Sequence, residues 1–565
     1  MAKRNLDEEG IENADRTRLE SEFRLSVPYS FFLVASCRKH FGVDMRKAER
    51  GSEMTRRTLA TLVLACAVAV ACMVTSASAQ FRELSVNAAQ VTGTVRSLQG
   101  VNQVPVLPQS NGVKLWPRPQ PDLRRQYKEL GIDSVRTHDT DGPTDIDAFK
   151  KGQPVDGTIF PNWDADPEKP KSYIFGPSDH VITAIKDTGA EVYFRIGRTY
   201  DSDPIRVPDY DKYASVVKHV AMHYNSGWAG GYRYNIHHWE FWNEPDVAAD
   251  WIEHGSGVEE RYTVNWPEPI GQFYKLYAKV AMSLKSYDPK LKVGCCALSR
   301  GQSSSPYREG FIRFCAEHNV PLDFYSWHHY TDDSADPWDY VRIGRDVREI
   351  LDTNGFYDAE DYCTEWEMCL TDATRGPHPQ SIYSMAAAAW TASTLIYMQD
   401  SPINLAHFET GPSLFNCDGT YRKRAYVFKA TLAMLKTPQR LAVAGADTIG
   451  FAVLVGRSPD GKTLQVLVSN YEIPDLGGGP PVALRPPNVP VLESRLGIKY
   501  VNNQGYSLRL DNLPWGDHEF SVRRYRITEK ENFDLAGEAS GRGTTFTVSN
   551  PLPPPGIELI VLEQK

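Results

Sequence analysis

Two glutamates, each placed where a short aromatic stretch ends, are the residues of this chain best suited to catalysis. Residues 237–246 read HHWEFWNEPD, and residues 361–368 read DYCTEWEM. The first stretch is too short for a helix, and Pro245 cannot continue the ladder of a central strand. Glu244 is therefore predicted where a strand gives way to a loop, and Glu365 at the end of a second strand of the same form.

A pair of carboxyl groups at strand ends suits proton transfer and nucleophilic attack beside a sugar. Hydrolysis of a glycosidic bond with retention needs one carboxyl to protonate the leaving oxygen and another, roughly 5–5.5 Å away, to attack the anomeric carbon. Glu244 and Glu365 lie far apart in the sequence, so they meet only in a fold that returns its strand ends to one place, as a barrel of parallel strands does. The alternative is that both glutamates form ordinary salt bridges. The residues alone do not order the two catalytic roles.

The motifs around the two glutamates resemble those of a known family. Trp242-Asn243-Glu244-Pro245 is followed by Thr364-Glu365-Trp366, and the segments YNSGW at 224–228 and YNI at 234–236 precede them in a similar order. Over roughly residues 90 to 440 the chain resembles glycoside hydrolase family 39, in the clan of retaining glycosidases built on (β/α)8 barrels. That family includes β-xylosidases and α-L-iduronidases.

The resemblance implies roles for the residues of the motif. Glu244 would be the acid/base and Glu365 the nucleophile, and Asn243 would hydrogen-bond the sugar hydroxyl next to the anomeric carbon. Arg136 ends the second predicted barrel strand. It would either hold Glu365 ionised through a charge-assisted hydrogen bond or form a buried structural ion pair.

Further candidates for substrate binding lie on other predicted strands and in the loop after the fourth, and each would serve equally well in the core. They are His138 on the second strand, His328 and Tyr330 at the end of the sixth, and the candidate sugar-stacking residues Trp251, Trp266, Trp327 and Trp366. At the eighth strand we expect an aromatic-led segment in relatives, whereas this chain reads LAHF followed by Glu409. Glu409 is therefore predicted to reach the substrate and to bear on the substrate class.

The order of apolar segments predicts the fold. Between residues 99 and 437, apolar runs typical of strands alternate eight times with amphipathic segments typical of helices. This pattern predicts an α/β fold, a (β/α)8 TIM barrel. Residues 438–565 carry alternating runs instead, which predict a C-terminal antiparallel β-sandwich domain. The resemblance implies that one or two strands within 80–98 join this sandwich.

The N-terminal region carries a targeting pattern. Arg56-Arg57 precedes an apolar run over 59–74, and Ala77-Ser78-Ala79 follows. A positive, an apolar and a small-residue region in this order predict a signal peptide over 54–79. Cleavage is expected before Gln80, which would make the protein secreted or periplasmic.

Two alternatives concern the same region. The apolar run is short for a membrane span, but lipid attachment at Cys72 or export by the twin-arginine route would also use it. Residues 1–53 are mostly charged or irregular. They are interpreted as an extension that is disordered or that precedes the true start at Met54.

Composition and charge narrow the function further. The 565 residues are 41% hydrophobic and 24% charged, as in a globular protein, and the formal net charge is −9. No basic block stands out, which argues against nucleic acid as a partner. No Cys/His spacing resembles a zinc site, and neither a metal nor another cofactor is predicted.

These observations predict an exported retaining glycoside hydrolase with a carbohydrate substrate. Within the family that the chain resembles, β-xylosides are the default, while arabinosides, uronic-acid glycosides and other oligomers remain open. A non-catalytic carbohydrate-binding barrel is an alternative hypothesis, which the two glutamates argue against. A transglycosylase is another, because a sugar instead of water would then intercept the same covalent intermediate.

Overall fold

The computed structural model of the protein describes a set of ranges between Gln80 and Lys565. These are 80–106, 121–137, 158–197, 207–246, 270–302, 304–330, 336–368, 383–472 and 503–565. The predicted signal peptide and the extension before it lie outside these ranges. Among the residues described, no helix combines the length and the apolar character needed to cross a membrane.

After the N-terminal strand β1 (Gln80–Thr94), eight short parallel strands close into a barrel. They pair in chain order, and the first pairs with the last, Val101 beside Phe408, to complete the ring. The prediction of a (β/α)8 barrel is thereby confirmed. The strands are β2 (Gly100–Asn102), β3 (Ser134–Arg136), β4 (Glu191–Ile196), β5 (His238–Phe241), β6 (Lys292–Leu298), β7 (Phe324–Tyr330), β8 (Glu360–Glu367) and β9 (Ile403–Phe408).

A helix follows each barrel strand. The helices are α1 (Arg124–Glu129), α2 (Gly176–Thr188), α3 (Tyr210–Ser226), α4 (Ile270–Tyr287), α5 (Phe311–Glu317), α6 (Asp339–Thr353), α7 (Met385–Tyr397) and α8 (Lys423–Met434). Local sequence sets their ends, as α3 illustrates. The Asp209 side chain accepts the N–H of Lys212 at its start, and Gly227 ends it with a left-handed φ of 81°.

The alternation of side chains along each strand sorts residues between the helix layer and the barrel interior. On β5, Trp239 and Phe241 contact aromatic rings of the outer layer, whereas Glu240 points inward and accepts a hydrogen bond from Tyr193. The N-terminal half of the interior is filled by a cluster of Tyr193, Phe324 and Tyr362, against which Leu405 packs. Because apolar rings plug this end, the interior polar side chains gather toward the C-terminal ends of the strands.

The strands outside the barrel form one nine-stranded sheet, in the order β15-β14-β17-β12-β11-β10-β1-β13-β16. Its C-terminal members are β10 (Gln439–Ala444), β11 (Phe451–Arg457), β12 (Thr463–Asn470), β13 (Asn503–Asp511), β14 (Glu519–Ile527), β15 (Asn532–Arg542), β16 (Phe546–Pro551) and β17 (Gly556–Gln564). The sheet folds over on itself, so that Phe520 and Phe546 meet with ring centroids 6.0 Å apart. β1 pairs antiparallel with β10 and parallel with β13. The separate, mostly antiparallel domain is as predicted, but its two halves are hydrogen-bonded into a single sheet through β1.

The sheet packs against the barrel beside α7. The Ser393 hydroxyl donates to Gly450 O (2.8 Å), and the Ser469 hydroxyl donates to Ala389 O (2.9 Å). Leu454 joins the same apolar core as the barrel residues. The accessory sheet thus supports the helix that connects β8 to β9.

Candidate active site

The two sequence-predicted catalytic glutamates meet at the C-terminal ends of the barrel strands. Glu365 lies on β8, and Glu244 lies three residues beyond β5. An oxygen of each carboxyl and His328 Nδ1 all lie within 4.8 Å of one another. His328 Nδ1 is 2.9 Å from Glu244 Oε1 and 3.3 Å from Glu365 Oε2. A proton on this nitrogen is therefore within reach of both carboxyl groups.

The segment that carries Glu244 has an unusual backbone. Trp242 has a φ of 69° and Glu244 a φ of 46°, both in the left-handed region that non-glycine residues rarely occupy. Each such residue costs on the order of 1–3 kcal/mol and persists only where surrounding contacts impose it. The Trp242 N–H donates to Ile196 O (2.8 Å), and the Glu244 N–H donates to Ala297 O (3.0 Å). The ends of the two neighbouring strands thus set the direction of the Glu244 side chain.

Arg136, the last residue of β3, is fully buried and ties several strands together. Its Nε donates to Glu240 Oε2 (2.5 Å), and its Nη2 donates to Asn243 Oδ1 (2.8 Å). Its Nη1 donates both to Glu365 Oε1 (2.9 Å) and to Asn102 Oδ1 (3.0 Å). Burial alone would lower the pKa of Arg136, but the charges of Glu240 and Glu365 raise it above its ordinary value. The guanidinium therefore stays charged and holds Glu365 and Asn243 in place.

Tyr330 and Glu409 complete the described part of the site. The Tyr330 hydroxyl donates to Glu365 Oε2. Burial raises the pKa of Tyr330 well above its usual value, and the charges of Glu365, Glu409 and Glu244 raise it further. Glu409 follows β9, and its N–H donates to Trp366 O (3.0 Å). The Tyr330 hydroxyl therefore keeps its proton and remains a hydrogen-bond donor to Glu365 at physiological pH.

Two residues of the Arg136 network carried no sequence signal strong enough to assign them. Asn102 ends β2, and its Nδ2 donates to Thr364 O (2.7 Å), next to the nucleophile. Glu240 accepts from Arg136 and from the Tyr193 hydroxyl (3.2 Å). The sequence gives one indication for Glu240. It lies four residues before Glu244, and side chains an even number of residues apart lie on the same face of an extended strand.

The interpretation of Trp327 and Trp366 as sugar-stacking residues is wrong. Both side chains have a relative exposure of 0%, so neither can offer a ring face to a ligand. Trp327 Nε1 donates to Asp361 Oδ1 (2.6 Å), and Trp366 packs against Phe408. On strands of period two, both indoles point into the helix layer. His138, Trp251 and Trp266 lie outside the described residues.

The same three side chains, Glu244, His328 and Glu365, have the donor types of a metal site. Both oxygens of Glu365, however, already accept hydrogen bonds, from Arg136 and from Tyr330. A cation would compete with the groups that hold this carboxylate. The arrangement suits proton transfer and nucleophilic attack better than metal coordination.

A closed parallel barrel with two glutamates facing each other at its C-terminal end is the arrangement of the (β/α)8-barrel glycosidases, which hydrolyse O-glycosyl bonds. The sequence comparison agrees, because the model of glycosyl hydrolases family 39 matches residues 190–418, which include both glutamates. The chain belongs to glycosyl hydrolases family 39.

Individual relatives cover different shares of the molecule. The chain is 32% identical over 128 residues to a β-xylosidase of Geobacillus stearothermophilus and 23% identical over 219 residues to a β-xylosidase of Caldicellulosiruptor saccharolyticus. These stretches are 22% and 36% of this chain, and they span only 21% and 39% of the two relatives. A crystal structure of a glucosidase from Croceicoccus marinus is 31% identical, with a TM-score of 0.70, and the match covers 86% of this chain and 100% of that one.

Proposed function

We propose that the protein is a retaining glycosidase in which Glu365 is the nucleophile and Glu244 the acid/base. The observation that carries the proposal is the approach of the two carboxyl groups, whose oxygens come within 4.8 Å. Inverting glycosidases separate their carboxyl groups by about 6.5–9.5 Å to admit a water molecule, whereas retaining enzymes hold them about 5–5.5 Å apart. The approach of the two carboxyl groups therefore supports the retaining mechanism.

In the first step, Glu365 attacks the anomeric carbon while Glu244 protonates the departing oxygen. Arg136 and Tyr330 each hold one oxygen of Glu365, so the attacking carboxylate is oriented before the substrate arrives. The Arg136 charge keeps this carboxylate ionised. Asn243, which Arg136 also orients, presents its amide NH₂ to a hydroxyl of the sugar.

In the second step, Glu244 takes a proton from water, and the resulting hydroxide releases the sugar from Glu365. Once Glu365 is esterified it carries no negative charge, and its attraction for the His328 Nδ1–H weakens. His328 then donates to Glu244 alone, at the shorter of its two contacts (2.9 Å). This shift favours the ionised form of Glu244 that the second step requires.

β-Xylosides are the first candidate substrates. The two curated relatives with this activity are similar to the chain in part only. Glucosides are the second candidate, because the glucosidase from Croceicoccus marinus is 31% identical and is matched along its whole length. A uronic-acid glycone is the less favoured candidate, since Arg136, the cation described in the site, is already paired with Glu240 and Glu365.

The test is hydrolysis of a panel of nitrophenyl glycosides by the purified protein, compared with Glu244→Ala and Glu365→Ala. We expect release from one glycone, loss of turnover in both variants, and partial recovery of the Glu365→Ala variant with azide, which replaces the nucleophile. Glu360→Ala is the matched control, because Glu360 begins the same strand at the opposite end of the barrel and should leave turnover intact. The first product should keep the anomeric configuration of the substrate in NMR spectra.

The same panel separates the alternative functions. A carbohydrate-binding barrel would release no nitrophenol at any glycone yet would still bind oligosaccharides. A transglycosylase would release nitrophenol and transfer most of the glycone to an added sugar acceptor, which chromatography of the products detects. Inversion of the anomeric configuration would contradict the proposal directly.

We also propose export with cleavage before Gln80. Gln80 belongs to β1 and pairs with Asn503 of β13, so cleavage before it would keep every described residue of the sheet. Expression of the full chain in an export-competent host, followed by N-terminal sequencing of the protein outside the cytoplasm, should give Gln80 as the first residue. A mature protein that retains residues before Gln80 would contradict this cleavage site.

A further inference from the structure

Asp246 joins the loop after β5 to the end of β6. Its Oδ2 accepts the Ser299 hydroxyl at 2.6 Å, and its Oδ1 accepts the Ser299 N–H at 3.1 Å. One residue thus engages the side chain and the backbone of its partner at the same time. Asp246 lies two residues after Glu244, and Ser299 directly follows the last residue of β6, Leu298.

Besides the side-chain contacts Arg136–Asn243 and His328–Glu244, three attachments hold the acid/base segment in the described part of the structure, and the Asp246–Ser299 pair is one of them. The first, from the Trp242 N–H to Ile196 O, precedes Glu244, and the second is the bond of the Glu244 N–H to Ala297 O. Both are backbone hydrogen bonds, which no side-chain substitution removes. The Asp246–Ser299 pair follows Glu244, and both of its hydrogen bonds are accepted by the Asp246 side chain, so substitutions can remove them.

The strained backbone makes the third attachment important for Glu244. A residue with a φ of 46° relaxes unless its neighbours are fixed on both sides. Relaxation would rotate the Glu244 carboxyl away from His328 Nδ1 and from the oxygen that leaves the sugar. A displacement of about 1 Å at a reacting group costs as much as 10²-fold in rate.

We propose that Asp246 and Ser299 form a positioning pair that aims the Glu244 carboxyl at the leaving-group oxygen. The inference rests on the proposed role of Glu244 as acid/base. Neither residue of the pair touches the reacting atoms, so their effect is confined to the proton transfers of Glu244, and kcat/KM reports the first of these. Glu365, which is held by Arg136 and Tyr330 on other strands, keeps its position without the pair.

The experiment uses two substrates with the glycone that the wild-type protein hydrolyses best. A phenyl glycoside has a poor leaving group and needs the proton of Glu244, whereas a 2,4-dinitrophenyl glycoside leaves with little protonation. Ser299→Ala should lower kcat/KM for the phenyl substrate by about 10-fold or more and for the dinitrophenyl substrate by less than about twofold. Asp246→Ala should show the same selective loss, and Ser299→Thr, which keeps the hydroxyl, should restore most of the rate.

Ser401→Ala is the matched control. Like Ser299, Ser401 lies next to a barrel strand and its hydroxyl donates a hydrogen bond, here to Met398 O (2.7 Å). It lies, however, at the N-terminal side of β9. Ser401→Ala should not lower kcat/KM for the phenyl substrate more than for the dinitrophenyl substrate. The melting temperature of each variant shows whether it is folded, and the two halves of the pair give independent measurements.

Three results bear on the inference. A selective loss in both Ser299→Ala and Asp246→Ala supports it. Equal losses for the two substrates, or no loss, while Glu244→Ala remains selective, would overturn it and leave the proposed function standing. A wild-type protein that hydrolyses neither substrate would overturn both.

Discussion

Replacing Arg136 by Met tests the two roles of its guanidinium, which compensates the buried charge of Glu240 and holds the Glu365 carboxylate. Arg136 is fully buried between Glu240, which has no exposed surface, and Glu365, which lines the pocket. Methionine has a similar length but neither charge nor donors. The substitution leaves Glu240 with the Tyr193 hydroxyl as its remaining donor among the contacts described, and it removes the Arg136 hydrogen bond from Glu365 Oε1.

These contacts predict two separate losses, one in folding free energy and one in kcat/KM. Removing one partner of a buried ion pair costs about 3–5 kcal/mol of folding free energy, because the other charge stays buried without compensation. The catalytic loss comes from Glu365 alone. A hydrogen bond to a charged group contributes about 1.5–3 kcal/mol, which corresponds to about 10- to 150-fold in kcat/KM.

A double variant tells the two losses apart. Arg136→Met combined with Glu240→Gln removes the buried charge of Glu240, so most of the lost stability should return, whereas Glu365 still lacks the Arg136 hydrogen bond and kcat/KM should stay low. Stability is measured by chemical denaturation, and kcat/KM per folded molecule on the best nitrophenyl glycoside. Arg424→Met is the matched control, because Arg424 and Glu367 form another buried pair outside the described site. It should lower stability and leave kcat/KM nearly unchanged.

The outcome that would refute this reasoning is recovery of kcat/KM together with stability in the double variant. Arg136 would then be a structural residue whose loss merely loosens the barrel. A single Arg136→Met variant as stable as the wild type would refute the predicted loss of folding free energy. It would show that the buried charge of Glu240 does not need Arg136 for compensation.

Three further predictions follow from the same geometry. Tyr330→Phe removes the hydroxyl that donates to Glu365 and should lower kcat/KM by about 10-fold or more at unchanged melting temperature; an unaltered rate would show that Arg136 alone orients the nucleophile. Burial raises the pKa of Asp361 from 3.8 to about 7, so ionisation in the unfolded chain above pH 4 costs the folded protein up to about 4 kcal/mol by pH 7. Asp361→Asn should therefore gain stability over the wild type as pH rises from 4 to 7, with a constant difference above 7, and a difference independent of pH would contradict this. A nitrophenyl glucuronide should be hydrolysed at least about 100-fold more slowly than the matching glucoside, because Arg136, the cation described in the site, is already paired with Glu240 and Glu365; comparable rates would show that another cation binds the glucuronide carboxylate.

Sequence patterns of short range carried a large part of the fold and the catalytic pair. The alternation of strand-like and helix-like segments is local, and it gave the closed parallel barrel. The Trp242–Pro245 motif placed Glu244 at a strand end, because proline and the short aromatic run act within a few residues. The change to alternating runs after residue 437 placed the accessory sheet for the same reason.

Short-range sequence patterns do not predict the register between strands that are distant in the sequence. Arg136 bonds residues that follow or end three other strands, at separations of 34 to 229 residues. Which side chains meet there depends on how strands are staggered around the ring. A one-residue slip would turn Arg136 away from the interior. Asn102 and Glu240 became visible as its partners only in the closed barrel.

Burial likewise depended on the tertiary structure. In the sequence, Trp327 and Trp366 stand beside predicted site residues and look like sugar-stacking residues. In the barrel, both indoles point to the helix layer, where α6, α7 and the neighbouring strands exclude solvent. The sequence by itself predicted the two glutamates that we propose carry the chemistry, because their motifs are local. The tertiary structure decided which residues hold them in place, because hydrogen bonds across the barrel exist only after the strands have closed into a ring.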